Sequence, residues 1–96
     1  MLYIVLFEDN PGKEELRQTH MAAHLAFLEA SGNCAGAGPL FATDGTGRGG
    51  LWLIRADSAA DVQAMVHADP FHDTGLRKSI TILEWRQVFR EGKRLR

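Results

Sequence analysis

The stretch Leu51-Trp52-Leu53-Ile54-Arg55-Ala56 is apolar on both of its faces over most of its length. Because side chains alternate between the two faces of a β-strand, a strand of this kind must be covered on both sides. The next residues, Asp57-Ser58-Ala59-Ala60-Asp61, are typical of a capped helix start. The sequence therefore predicts a buried strand that leads directly into a helix, which runs to a corner at Asp69-Pro70.

The flanking segments predict three more strands and one more helix. The predicted strands are Leu2–Phe7, which is also apolar on both faces, Asn33–Leu40, and Ser79–Trp85, with Ile80 and Ile82 on one face. The predicted helix runs from Lys13 to about Ser31 and stops at Gly32. The strand Asn33–Leu40 is small and glycine-rich, which favours a bulge and an edge or end position for Pro39.

This order of elements, β-α-β-β-α-β, defines a ferredoxin-like α+β fold. It predicts a four-stranded antiparallel sheet with two helices on one face, in one domain spanning residues 1–96. Two helices cover only one face of such a sheet, although three strands carry apolar residues on both. We therefore expect a second copy to pack sheet against sheet, as a homodimeric α/β barrel.

Composition excludes several classes of protein. A net charge of −1 gives no electrostatic footprint for nucleic acid or an acidic membrane, and no apolar run approaches the roughly 20 residues of a membrane span. The single cysteine, Cys34, fits a reducing compartment, so a cytoplasmic location is expected. An inert buried thiol is favoured over a nucleophile at Cys34, because it lacks a sequence partner.

Two segments are expected to be loose. The glycine-rich stretch from Phe41 to Gly50 predicts a mobile hairpin loop near the mouth of a pocket, but its order does not fit a phosphate-binding loop. The tail from Arg86 onward is expected to pack through Val88 and Phe89 before it turns basic. A solvated tail is favoured over a binding patch at this length.

Two histidines and two aspartates lie within seven positions at the corner after the second helix. The stretch is His67-Ala68-Asp69-Pro70-Phe71-His72-Asp73-Thr74-Gly75-Leu76. Pro70 pushes Asp69 out of the helical region, so its carboxylate is held at a fixed corner, with Phe71 as an apolar anchor. A plain helix-to-loop corner remains the alternative interpretation.

The first helix carries two histidines on its buried stripe. His20 and His24 are spaced i, i+4 and share one face, bordered by Arg17. Because both helices lie on the same sheet face, His24 and Asp69 can converge near the sheet edge. A carboxylate bonded to one ring nitrogen fixes the tautomer, favours the protonated form and leaves the other nitrogen for proton transfer. A core histidine is the structural alternative.

A metal site at His20 and His24, with His67, His72 and Asp73 nearby, is not favoured because no acidic partner lies within the helical motif.

These residues resemble the YCII family of small dimeric α+β barrel proteins. The resemblance rests on His24-Leu25-Ala26-Phe27-Leu28, Ala37-Gly38-Pro39-Leu40, Asp69-Pro70-Phe71, Gly75-Leu76 and Glu84-Trp85. It implies that His24 and Asp69 face one pocket bordered by the Gly38-Pro39 strand. Lactone dehalogenation, as in chloromuconolactone dehalogenase, is the chemistry associated with relatives. Many members carry an arginine three residues before the histidine, where this chain has Met21, and Arg17 lies one further turn back.

Two functions follow as hypotheses. The first is a small enzyme without cofactor or metal, in which His24 and Asp69 transfer a proton on a lactone-like or other small carbonyl substrate. Gly36 and Gly38 would offer strand amides to a developing oxyanion. The expected substrate-binding residues are Arg17, His20, Gly36, Gly38, Pro39, Phe71 and His72. The second hypothesis is a non-catalytic dimeric protein that binds a small molecule, or an accessory subunit, with the same pocket.

Overall fold

The computed structural model describes residues 1–96 and contains the predicted order of elements. The main elements are β1 (Leu2–Asp9), α1 (Glu14–Ser31), β2 (Cys34–Phe41), β3 (Gly47–Arg55), α2 (Ala59–Ala68) and β4 (Arg77–Glu84). A single 3₁₀ turn at His72–Thr74 joins α2 to β4, and a short hairpin, β5 (Phe89–Arg90) and β6 (Lys93–Arg94), ends the chain. Neither α-helix is long and apolar enough to cross a membrane.

The four long strands form one antiparallel sheet in the order β2-β3-β1-β4. This confirms the ferredoxin-like α+β fold. The strands β1 and β3, which are apolar on both faces, lie in the centre, and the glycine-rich β2 lies at an edge with Pro39 in it. Irregular pairing between Cys34 and Gly36 provides the expected bulge in β2.

The core lies between the sheet and the two helices. It consists of Tyr3, Val5, Phe7, Leu28, Trp52, Ile54, Val62 and Val66. The opposite face of the sheet carries Leu2, Ile4, Leu6, Leu51, Leu53 and Leu83, none of which is buried. The alternation predicted from the sequence is confirmed, since each face of the central strands is apolar but only one face is covered within the chain.

The helix ends follow local chemistry. Helix α1 stops at Gly32, whose φ of 72° lies in the left-handed region that glycine adopts at little cost. The Ser58 side chain accepts a hydrogen bond from the Asp61 backbone N–H at the start of α2. At the other end of α2, Asp69 has extended backbone angles, as the following proline requires.

The expectations for the glycine-rich stretch from Phe41 to Gly50 and for the tail from Arg86 onward were wrong in part. Strand β3 begins at Gly47, so residues 47–50 are paired in the sheet and the loop is confined to residues 42–46. Val88 and Phe89 are each 57% exposed, so they do not pack within the chain as expected.

Candidate active site

A buried hydrogen bond joins the two helices at the end of the sheet. His24 Nδ1 lies 2.8 Å from Asp69 Oδ1, and the two residues are 7% and 3% exposed. The extended backbone at Asp69, just before Pro70, directs its carboxylate toward α1. The structure thus brings together the two residues that the sequence singled out.

The imidazole of His24 is held in place by two aromatic rings. Its centroid lies 5.8 Å from that of Trp52 in a stacked arrangement and 4.5 Å from that of Phe71. Nδ1 is bonded to Asp69, whereas Nε2 has no hydrogen bond within the chain and retains some exposed surface. The free nitrogen is therefore the one available to a ligand.

Asp69 is shared between His24 and an arginine that the sequence analysis did not select. Arg77 Nη2 donates to Asp69 Oδ2 at 2.5 Å, and the Arg77 side chain is only 6% exposed. Burial alone would raise the pKa of Asp69, but the hydrogen bond from His24 and the positive charge of Arg77 outweigh it, so the pKa lies below its usual value. Asp69 is therefore ionised near neutral pH.

Arg77 reaches the site because the pairing of β1 with β4 is irregular. Regular alternation from Ile80 and Ile82 would place Lys78, not Arg77, on the helix-covered face. The register shifts between Glu8 and Asp9, so that Asp9 pairs with Arg77. Lys78 is consequently exposed, and the guanidinium of Arg77 lies 3.9 Å from the centroid of the Phe7 ring.

A cavity of about 120 Å³ lies beside the His24 ring, between α1 and the end of the sheet. Its wall is formed by Phe7, Arg17, Met21, His24, Leu25, Ala37, Gly38, Pro39, Gly50, Trp52, Phe71, Leu76 and Arg77. Five of the residues expected at the site therefore line it: His24, Arg17, Gly38, Pro39 and Phe71. Asp69 lies behind His24 and Arg77 rather than in the wall.

Three expected ligand-binding residues lie elsewhere. A Cβ atom at Gly36 would meet Leu53 at 3.6 Å, so this position faces the uncovered side of the sheet. The His72 ring lies 4.5 Å from that of His67 and does not line the cavity, and its Nδ1 is buried without a partner. His20 lies 6.4 Å from the Phe71 ring, ring centre to ring centre, and also lies outside the wall.

Arg17 stands at the mouth of the cavity. It forms an ion pair with Asp9 at 2.6 Å, and it also lines a wider groove outside the cavity. No group of three or more His, Cys, Asp or Glu side chains is arranged to hold a metal ion. The arrangement can therefore supply a base, a buried carboxylate that orients it, and two guanidinium groups.

The fold and this buried His–Asp–Arg arrangement place the protein among small α+β domains with a helix-side cavity. The chain belongs to the family of the YCII-related domain, whose model matches residues 1–86. It is 36% identical over 76 residues to the uncharacterized protein YjpA of Bacillus subtilis (strain 168), covering 76% of this chain and 84% of YjpA.

Two solved structures are similar. One is the 5-chloro-2-hydroxyhydroquinone dehydrochlorinase TftG of Burkholderia phenoliruptrix AC1100, in complex with 2,5-dihydroxybenzoquinone. It is 29% identical, with a TM-score of 0.79 over 90% of this chain and 94% of TftG. The other is Rv0793 of Mycobacterium tuberculosis, 15% identical with a TM-score of 0.55 over 90% of this chain and 94% of that one. The second likeness concerns the fold alone.

Proposed function

We propose that this protein is a small-molecule enzyme in which His24 transfers a proton on a small cyclic carbonyl or lactone-like substrate, without a cofactor. The observation that carries the proposal is the free Nε2 of a histidine whose other nitrogen is bonded to a buried carboxylate, beside a cavity. A carboxylate in this position selects the tautomer with hydrogen on Nδ1, which leaves a lone pair on Nε2.

The proposed reaction needs only one general acid–base group, which is the imidazole of His24. Nε2 removes a proton from the carbon next to the carbonyl, and the electrons of the broken C–H bond form a carbon–carbon double bond and an enolate. The imidazolium then returns the proton to another atom of a conjugated enolate, or the enolate expels a leaving group as an anion from the neighbouring carbon and the imidazolium releases its proton to solvent. The first outcome is an isomerisation and the second an elimination. Asp69 stabilises the imidazolium that forms between the two steps.

The likeness to TftG supports this class of substrate. The name of that enzyme describes the loss of hydrogen chloride from a ring compound, and its structure holds a benzoquinone. A cavity of about 120 Å³ is near the size at which an apolar protein cavity holds one benzene ring, about 150 Å³. A single six-membered ring with small substituents is therefore the size we propose.

Proton transfer can be measured before the substrate is known. We would incubate the protein in D₂O with a set of small cyclic ketones, lactones and chlorinated hydroquinones, and follow deuterium uptake by NMR and chloride release. For any compound that reacts, His24→Gln should lower the rate by about 10²–10⁴-fold, the usual contribution of a general base. His67→Gln, an exposed histidine on α2, is the matched control and should react like the wild type.

The outcome also separates the two hypotheses about function. A compound that binds but exchanges no proton, in the wild type as in His24→Gln, would indicate a binding protein. A folded His24→Gln variant with unchanged turnover would rule out the catalytic role. If His24 is only a core residue, the variant should lose stability instead, as thermal unfolding would show.

A further inference from the structure

The wall of the cavity carries positive side chains but no carboxylate. Arg17 and Arg77 both line it, whereas their partners, Asp9 and Asp69, do not. Asp9 lies in the groove outside, and both oxygens of Asp69 are engaged by His24 and Arg77. A ligand in the cavity therefore lies beside two arginines and one histidine, with apolar surface between them.

The guanidinium of Arg77 has hydrogen-bond partners within the chain for only part of its donors. Its Nη2 is bonded to Asp69, but its Nη1 is buried with no acceptor in the chain. Burial lowers the pKa of Arg77, and the nearby Asp69 and Asp9 offset this only in part while Arg17 adds to it. Buried polar groups without a partner are uncommon in folded proteins, so Nη1 calls for a partner outside the chain, such as a water, an ion or a ligand.

Two aromatic rings, those of Phe7 and Trp52, lie against the guanidinium of Arg77. The guanidinium carbon lies 3.9 Å from the centre of the Phe7 ring and 5.3 Å from that of Trp52. These contacts hold the planar group against aromatic surface, so it cannot turn freely toward solvent. A guanidinium fixed next to the cavity attracts a charged oxygen more strongly than a neutral one.

We propose that the cavity selects a flat, ring-sized molecule that carries a negatively charged oxygen, either a carboxylate or an ionised hydroxyl group, and that Arg77 is the residue that selects for this charge. The proposal rests on the proposed function, because an enolate formed by His24 would develop its charge beside the same guanidinium. Arg17 plays a smaller part, since it stands at the mouth and is already paired with Asp9.

The test is a comparison of matched probes in binding titrations at pH 7. Benzoate and benzamide have nearly the same shape, but only benzoate is charged, and 2,5-dihydroxybenzoquinone provides an ionised hydroxyl in place of the carboxylate. Benzoate or the benzoquinone should bind the wild type at least about tenfold more tightly than benzamide. Arg77→Met should remove this preference, with a loss of about 10–100-fold for the charged probes. Arg86→Met, at an exposed surface ion pair, is the matched control and should bind like the wild type.

Equal affinity for benzoate, the benzoquinone and benzamide would overturn the proposal, as would a folded Arg77→Met variant that keeps the preference. If Arg77→Met does not fold, the proposal is tested instead by the Nε–H NMR signal of Arg77 in the wild-type protein. It should shift on addition of a charged probe but not of benzamide, and an unshifted signal would overturn the proposal. Because these measurements record binding alone, they give their result even if no compound is turned over. A tighter benzoate indicates a carboxylate as the natural group, and a tighter benzoquinone indicates an ionised hydroxyl.

Discussion

Asp69 is the residue on which the site depends, because its two oxygens hold two different partners. One accepts from His24 on α1 and the other from Arg77 at the start of β4. The pairing of His24 with Asp69 could be predicted from the sequence, since Pro70 fixes the corner and both helices lie on one face of the sheet. Arg77 could not, because an irregular register between β1 and β4 reverses the face that simple alternation assigns to it.

The carboxylate of Asp69 should make the free energy of unfolding decrease at acidic pH. Its pKa is lowered in the folded protein, so its contribution to stability is present above the unfolded value of about 3.9 and is lost as the pH falls through the folded value. Asp69→Asn removes this contribution. In urea unfolding between pH 6 and pH 2.5, the wild type should therefore be more stable than the variant at pH 6, and the difference should shrink below about pH 4.

Asp57→Asn is the matched control for this measurement, because Asp57 is exposed and makes no side-chain hydrogen bond or ion pair. Its difference from the wild type should be small throughout. A gap between Asp69→Asn and the wild type that stays constant down to pH 2.5 would contradict the role assigned to the ionised carboxylate.

At the scale of elements, the hairpin of β2 and β3 shows where composition misleads. A run rich in glycine between Phe41 and Gly50 is typical of a loop, yet half of it pairs within the sheet. Gly49 pairs with Glu8 of β1, and a Cβ atom there would lie 1.8 Å from the carbonyl oxygen of Phe7. The glycine is required by close approach of two strands, which only the three-dimensional packing reveals.

Gly49→Ala should therefore destabilise the fold severely. Its φ of 138° is rare for any residue with a side chain, and the added methyl group would collide with backbone that cannot move aside. We expect a loss of more than about 3 kcal/mol in the free energy of unfolding, measured by urea denaturation.

Gly45→Ala is the comparison that isolates the collision. Gly45 also has a positive φ, of 91°, but nothing lies within 4 Å of its Cβ position. Backbone strain alone should cost about 1–2 kcal/mol there. Equal losses in the two variants would mean that the close approach of β3 to Phe7 does not matter to stability.

At the scale of the whole molecule, one face of the sheet lacks a cover. Ile4 pairs with Leu53 on one side and with Leu83 on the other, and Leu6 pairs with Leu51, so the exposed side chains form a continuous apolar surface. Leu83 is 51% and Trp85 38% exposed. A surface of this kind is expected to be covered by a partner, and a second copy is the simplest one, so the homodimer predicted from the sequence stays our prediction.

The two faces of β3 allow a sharp test of that prediction. Leu53 faces the uncovered side, whereas its neighbour Ile54 is fully buried under the helices. In analytical ultracentrifugation at micromolar concentration, the wild type should sediment as a dimer and Leu53→Asp as a folded monomer, because a charge on the interface is costly to bury. Ile54→Asp should unfold instead. Gln63→Asp places the same charge on the exposed side of α2 and should leave the dimer intact. A wild-type protein that sediments as a stable monomer would contradict the prediction, and the apolar face would then need another partner.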